Sequence, residues 1–317
     1  MKNGCKKKKV VVCGEKLVAE RCLQFLYSRS DTEICAIVAA PEDWQADLIS
    51  FGAERRIKTF VGNINDYVEE LVSLKPDFIF SLQYRSLLKT ALLNLPIHGC
   101  INLHFGLLPR YGGCYPVAWA ILNGEKKAGV TLHYMVDKFD EGGIIAQTSI
   151  PIDDNTTARE LFDSLTETAV HLFIDSYPSL LEGTAGSSPQ DLTRKLYYTK
   201  DSIEFARDQI IDWRKTGSEI HRRICAFSFD PFQQPVTSFQ MPDGQQLQAT
   251  VGQSRLYDRG VSSGIEMAGN IKEVTDSGAL VAVTANGDLI EIGLLNNRIP
   301  REYIESLGVS AKDIVFK

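Results

Sequence analysis

The chain has 317 residues, 44% hydrophobic and 23% charged, which supplies ample material for a packed core and excludes a largely disordered protein. Its net charge of −6 excludes a global attraction to phosphate backbones or anionic membranes, so small-molecule chemistry fits better than nucleic-acid binding. The length exceeds what one core usually organises, which makes two domains the expectation.

Lys6 to Lys9 run straight into Val10, Val11 and Val12, so this basic run reads as a solvated lead-in to a first strand at 10–13. Gly14 is the turn, and 16–28 reads as a helix with Val18, Cys22, Phe25 and Leu26 on one face. Residues 34–40 give a second strand, 65–74 an amphipathic helix, and 77–81 (DFIFS) a third buried strand. Residues 99–104 form the next strand. Pro116 opens a helix to about Asn123, where Gly124 stops it, and 129–136 (GVTLHYMV) is a strand leading into a loop at 137–143. A long helix covers 157–181, with Thr156 or Thr157 as its cap.

Strands alternating with helices imply an α/β, Rossmann-like and mostly parallel sheet covered on both faces. Residues 182–189 (EGTAGSSP) break the pattern. After a short helix containing Ile220 and Ile224, segments at 236–239, 247–250, 270–274, 279–284 and 289–292 alternate with tight-turn signals, implying a smaller β-rich, OB-like barrel domain. The expected organisation is therefore a first domain over 1–183, a linker over 184–203 and a second domain over 204–317.

Seven scattered cysteines (5, 13, 22, 35, 100, 114 and 225), with no Cys-x-x-Cys pair, fit reduced thiols in a cytoplasmic protein and support no cysteine metal site. No apolar run is long enough for a membrane span or a signal-peptide core. Gly14 stands without the further glycines of a dinucleotide fingerprint or a P-loop, so nucleotide phosphate binding there is unsupported.

The chemistry concentrates at Asn102-Leu103-His104. Side chains two residues apart share one face of a strand, so an amide donor and an imidazole face the same space. The imidazole takes a proton near neutral pH, and the carboxamide N–H can stabilise an oxygen that turns negative as a carbonyl is attacked. In a parallel sheet the carboxyl ends of strands border the ligand crevice, which is where this pair falls. Asp140, in the 137–143 loop, can reach the same crevice, where a carboxylate would orient the His104 ring. Taken alone, beside Asp137, Lys138 and Glu141, it reads rather as a solvated loop acid. His133, alternating with apolar neighbours, reads as a satisfied structural histidine, and Cys114 as a small buried hydrophobe.

Asp77-Phe78-Ile79-Phe80-Ser81, Tyr84-Arg85, Asn102-Leu103-His104, Leu107-Leu108-Pro109, Gly113, Pro116, Gly129-Val130-Thr131-Leu132-His133 and Asp140 together resemble the N10-formyltetrahydrofolate-dependent formyltransferase family. The likeness is greatest to the domain that formylates UDP-4-amino-arabinose and extends to methionyl-tRNA formyltransferase. The resemblance implies a catalytic trio of Asn102, His104 and Asp140, no metal, and N10-formyltetrahydrofolate as co-substrate. It sets the pterin against the backbone of Ser86, Leu87 and Leu88 and the loop Val136, Asp137, Lys138, Phe139 and Asp140. Leu87 and Leu88 fit the core face of a helix as well.

Two departures bear on the acceptor. Gly106 stands where the family has Ser, and Gly112 and Cys114 stand where the aminoarabinose enzyme has basic residues, which implies a different nucleotide-linked amino sugar. Arg110, Tyr111 and Tyr115 are the candidate substrate contacts, although the two tyrosines serve equally as packing. The C-terminal part resembles the family more weakly, through Ile211-Asp212-Trp213 and 222–227 (RRICAF). Residues 204–317 carry 12 Lys or Arg against 15 Asp or Glu, net −3, which disfavours a tRNA partner. The expected activity is N-formylation of a nucleotide sugar by a homodimer. The alternatives are methionyl-tRNA formylation, hydrolysis of the formyl donor and folate binding without catalysis.

Overall fold

A computed structural model of the chain describes residues 6–40, 47–240, 246–257, 268–295 and 315–316. The chain divides into two compact units. The first contains 1–116, 128–150 and 163–199; the second contains 117–127, 151–162 and 200–317.

In chain order the elements of the amino-terminal half are β1 (Lys8–Gly14), α1 (Lys16–Ser28), β2 (Thr32–Ala39), α2 (Leu48–Arg55), β3 (Thr59–Val61), α3 (Val68–Leu74), β4 (Phe78–Leu82), α4 (Thr90–Leu93) and β5 (Cys100–His104). They continue through β6 (Gly112–Gly113), α5 (Pro116–Leu122), β7 (Lys127–Tyr134), β8 (Ile144–Pro151), α6 (Ala158–Glu182) and β9 (Tyr197–Tyr198). Seven strands form one sheet in the order β3-β2-β1-β4-β5-β7-β8. The first five run parallel, and β7 pairs antiparallel with β5. The expected mostly parallel α/β sheet is what forms.

The central strands are apolar on both faces, as burial between helix layers demands. Val10, Val11 and Val12 are wholly buried, and each contributes roughly 2 kcal/mol by leaving water. On one face Val11, Val38 and Ile79 pack with Leu71, Leu88 and Leu92. Six elements of this half went unanticipated: α2, β3, α4, β6, β9 and β8. The first five are short. β8 buries none of its side chains fully and exposes half of them, so Gln147, Thr148 and Ser149 give no buried apolar alternation to read.

The second unit is built on α8 (Gly217–Phe227) and an antiparallel sheet, preceded by the single-turn α7 (Phe205–Asp208). Its strands are β10 (Val236–Gln240), β11 (Gln246–Tyr257), β12 (Ile271–Val274), β13 (Leu280–Val283), β14 (Leu289–Leu294) and β15 (Val315–Phe316). Their order is β12-β13-β14-β11-β10-β15. The expected barrel is thus a six-stranded antiparallel sheet in which, among the described residues, the edge strands β12 and β15 do not pair with each other. Thr216 and Glu219 form a reciprocal capping box that starts α8. Ile220 and Ile224 from α8 pack with Val251, Leu280, Ile290 and Ile292 of the sheet.

The last boundary, Thr199/Lys200, lies within 184–203, whereas 117–127 and 151–162, expected in the first domain, group with the second unit. Much of the stretch expected as a linker is docked rather than free. Ser188 bridges Ile144, and β9 pairs parallel with β6. No helix among the described residues is long and apolar enough to cross a membrane.

Candidate active site

The register of β5 on β7 builds the site. Asn102 lies opposite His133, and His104 opposite Thr131. Residues two apart share a face, so Asn102, His104, Thr131 and His133 all project to one side of the sheet.

Each polar group has a definable hydrogen position, assigned from its partners. Tyr134 O lies 2.8 Å from His133 Nδ1. A carbonyl only accepts, so Nδ1 carries the hydrogen. Burial pushes the His133 pKa down to about 4, with His104 adding to the depression and Asp140 opposing it, so the ring is neutral. Its Nε2 is then a bare lone pair, and it accepts from Asn102 Nδ2 at 3.1 Å. This contact fixes which end of the carboxamide is which and leaves the second N–H of Asn102 for another acceptor.

The same logic sets His104, which is 8% exposed. Its Nε2 lies 2.7 Å from Tyr111 O and donates to it, so in the neutral ring Nδ1 holds the lone pair. Gly106 makes that bond possible: a Cβ there would lie 2.7 Å from His104 Nε2 and 2.5 Å from Tyr111 O. Tyr111 presents its carbonyl from a left-handed backbone, φ 61°. Thr131 braces the intervening turn. It donates to Gly106 O at 2.5 Å and receives Gln147 Nε2 at 2.8 Å, while Gln147 also reaches Leu108 O at 3.0 Å.

Asp140 arrives from the loop between β7 and β8, with its own backbone left-handed at φ 55°. Its Oδ2 accepts the Gly113 N–H at 2.7 Å. Its Oδ1 lies 3.6 Å from His133 Nε2 and 4.0 Å from His104 Nδ1. A neutral His133 offers that oxygen no proton, so the carboxylate's electrostatic partner is His104 once protonated. At 4.0 Å this is ion-pair reach, not a hydrogen bond. The three residues singled out from the sequence therefore meet around one space, and His133, read there as structural, belongs to it.

The other expected contacts sort differently. Thr90, four residues after Ser86, meets the 136–140 loop through Oγ1, which donates to Asp137 Oδ1 at 3.1 Å. Leu87 is exposed and its carbonyl accepts from Asn65 Nδ2; Leu88 is buried in the core, so only its backbone is available to a ligand. Val136, Asp137, Lys138 and Phe139 are all exposed. Tyr111 requires a correction. Its ring is 5% exposed and stacked on Tyr198, so this residue serves the site through its carbonyl and not by presenting an aromatic face. Arg110 sits over that ring at 5.3 Å, and Tyr115 is half-buried. Among the described residues no cluster of His, Cys, Asp and Glu could hold a metal ion.

Residues 9–176 match the formyl transferase family. The chain is 39% identical over 157 residues to a methionyl-tRNA formyltransferase of Halalkalibacterium halodurans, covering 50% of this chain and 49% of that protein. It is 36% identical over 168 residues to the bifunctional polymyxin resistance protein ArnA of Wigglesworthia glossinidia brevipalpis, covering 52% of this chain and 25% of that one. The chain thus matches about half the length, or less, of these relatives. In fold it is similar to an N-formyltransferase from Helicobacter canadensis in complex with folinic acid and dTDP-3-aminofucose. That likeness has a TM-score of 0.72 at 24% identity and covers 91% of this chain and all of the other. The sugar 3N-formyl transferase WlaRD, solved with dTDP and 5-N-formyl-THF, superposes with a TM-score of 0.70 at 22% identity over 92% of this chain and 98% of that one. With residues 9–176, more than half of its length, matched, the chain belongs to the formyl transferase family.

Proposed function

We propose that this enzyme moves a formyl group from N10-formyltetrahydrofolate to the amine of a nucleotide-linked amino sugar. The observation that carries the reading is the convergence of Asn102 Nδ2, His104 Nδ1 and Asp140 Oδ1 on one space at the end of β5. The amine nitrogen bonds to the formyl carbon, and the carbonyl oxygen takes up the π pair. The free N–H of Asn102 stabilises that oxygen. His104 Nδ1 accepts the proton released by the attacking nitrogen, and the resulting imidazolium is balanced by Asp140. As the bond between carbon and folate N10 breaks, the same proton passes to N10, which returns His104 to its neutral form.

Two observations favour a sugar acceptor over tRNA. Residues 204–317 are net acidic, with 12 Lys or Arg against 15 Asp or Glu, which opposes binding to a polyphosphate. The fold likeness to WlaRD spans nearly the whole of both chains, whereas the matched tRNA enzyme is covered over only half. The exposed loop around Val136–Phe139 and the backbone at Ser86–Leu88 are where we place the pterin. The test supplies N10-formyltetrahydrofolate with dTDP- and UDP-linked amino sugars, with methionyl-tRNA, and with water alone, and follows tetrahydrofolate release. Turnover with a sugar nucleotide is expected. Turnover with tRNA only, or at full rate with no acceptor, overturns the assignment.

A further inference from the structure

We propose that Gln190 is a positioning residue for Asp140, clamping the catalytic loop through its backbone. The inference rests on the reading that Asp140 serves catalysis. The loop has no strand partner of its own, and residues 137–139 are exposed. Gln190 Nε2 spends both of its hydrogens there, on Asp140 O at 2.7 Å and on Gly142 O at 2.7 Å. One amide thereby spans Glu141 and fixes the backbone on both sides of it, holding Asp140 in its left-handed conformation.

A clamp is only as rigid as its mounting, and this one is anchored on both sides. Ser188 exchanges two backbone hydrogen bonds with Ile144, at 2.8 and 2.9 Å. Downstream, Leu196 donates to Pro109 O at 3.1 Å, while Leu196 O and Tyr198 O receive the N–H groups of Gly112 and Cys114 at 3.0 and 2.8 Å. Between those two bonds lies Gly113, whose N–H holds Asp140 Oδ2. A Cβ at Gly113 would lie 2.1 Å from Tyr198 O, so the strap comes this close only against glycine. The strap at 188–198 thus fixes Asp140 twice, by its carbonyl through Gln190 and by its carboxylate through Gly113.

Gln190→Met removes both donors at nearly constant size. In formyl transfer from N10-formyltetrahydrofolate to dTDP-3-aminofucose, it is expected to lower kcat about tenfold with KM for the formyl donor within about twofold. In an Asp140→Asn background the same change is expected to alter kcat by less than about twofold, because a residue acting only through the carboxylate has nothing left to act on. Hydrogen exchange at residues 140–142, read on the protein without substrates, should quicken at least about tenfold while β5 is unchanged. Unchanged exchange, an unchanged kcat, or an equal loss in both backgrounds overturns the proposal. Should Asp140→Asn by itself leave turnover intact, the catalytic reading beneath it fails as well, and the exchange measurement then still reports whether the clamp exists.

Discussion

Asn102 and His104 are placed by a strand, whereas Asp140 is placed by a side-chain amide and a single backbone N–H. β5 lies inside the sheet between β4 and β7, and its two reactive residues inherit their positions from a hydrogen-bonded ladder on either side. Asp140 sits at the end of an exposed run and is held by Gln190, fifty residues further along the chain. A group fixed by sheet register moves only if the sheet does, while a loop group held by one amide and one N–H is loosened by a single substitution. In the proposed mechanism the site therefore joins a rigid half, with Asn102 as oxyanion donor and His104 as base, to an adjustable half, with Asp140 as countercharge.

The comparison predicts its largest effects on the strand. His104→Asn should cost about a thousandfold in kcat, the range for losing a general acid and base. Asn102→Ala should cost about a hundredfold, the price of one oxyanion donor. Both variants should keep the native exchange rate in the 137–143 loop, as measured by hydrogen exchange; a faster loop in either would mean that the two halves are not independent.

A second effect of strand placement is acid sensitivity. His133 is wedged neutral in the sheet with a pKa lowered to about 4 from an ordinary 6.5, chiefly by burial. Between these values the unfolded chain binds a proton that the folded one refuses, so stability is complete above pH 6.5 and falls as pH drops towards 4. The loss amounts to about 3 kcal/mol from this residue. His221, also depressed by burial, adds to it in the second unit. Denaturant unfolding of His133→Gln at pH 7, 5.5 and 4.5 should show a shallower acid slope than the native chain; identical slopes would mean that His133 is protonated without cost.

Gly106 marks where the two halves join. Alanine there would drive its Cβ against His104 Nε2 and Tyr111 O and break the bond that assigns the ring's hydrogens. Gly106→Ala is expected to lower kcat about tenfold through a misassigned tautomer. The pH–rate profile checks this, since its acidic limb, where the base His104 must stay unprotonated, should shift while KM for the formyl donor stays put. A native profile would remove the Tyr111 carbonyl from the assignment of His104.

The division between strand and loop also explains what the sequence made legible. The apolar runs of β1, β4 and β5 and the period-two spacing of Asn102 and His104 announce both the sheet and the face on which the pair lies, because strand geometry is local. The role of His133 was hidden, since its pattern matches that of a buried structural histidine. Only the antiparallel register of β7 on β5 brings it opposite Asn102. A cross-strand partner is a pairing fact, and no single segment carries it. The strap was hidden for a similar reason. It opens at Ser188 and Pro189, the end of a stretch that marks a break in regular structure, and Gln190 has no local signature of the two carbonyls it serves. β8 escaped because an exposed edge strand lacks the apolar alternation that reveals buried ones.

The smallest expected effect lies on the strap itself and separates a clamp from a mere contact. Lys195 Nζ meets Glu141 Oε1 at 2.7 Å, and this ammonium holds the Glu141 carboxyl below its usual range. The pair touches the same loop as Gln190, but it joins one side chain to another, so it exerts no hold on the backbone from which Asp140 projects. Ion pairs open to solvent are screened and spend side-chain entropy to form. Lys195→Ala is therefore expected to change kcat by less than about twofold at physiological ionic strength and to leave exchange at 140–142 at the native rate. If instead Lys195→Ala slowed turnover as much as Gln190→Met, the loop would be held by the strap's charge rather than by the amide's two hydrogens. High salt should then reproduce the loss in the unmodified enzyme.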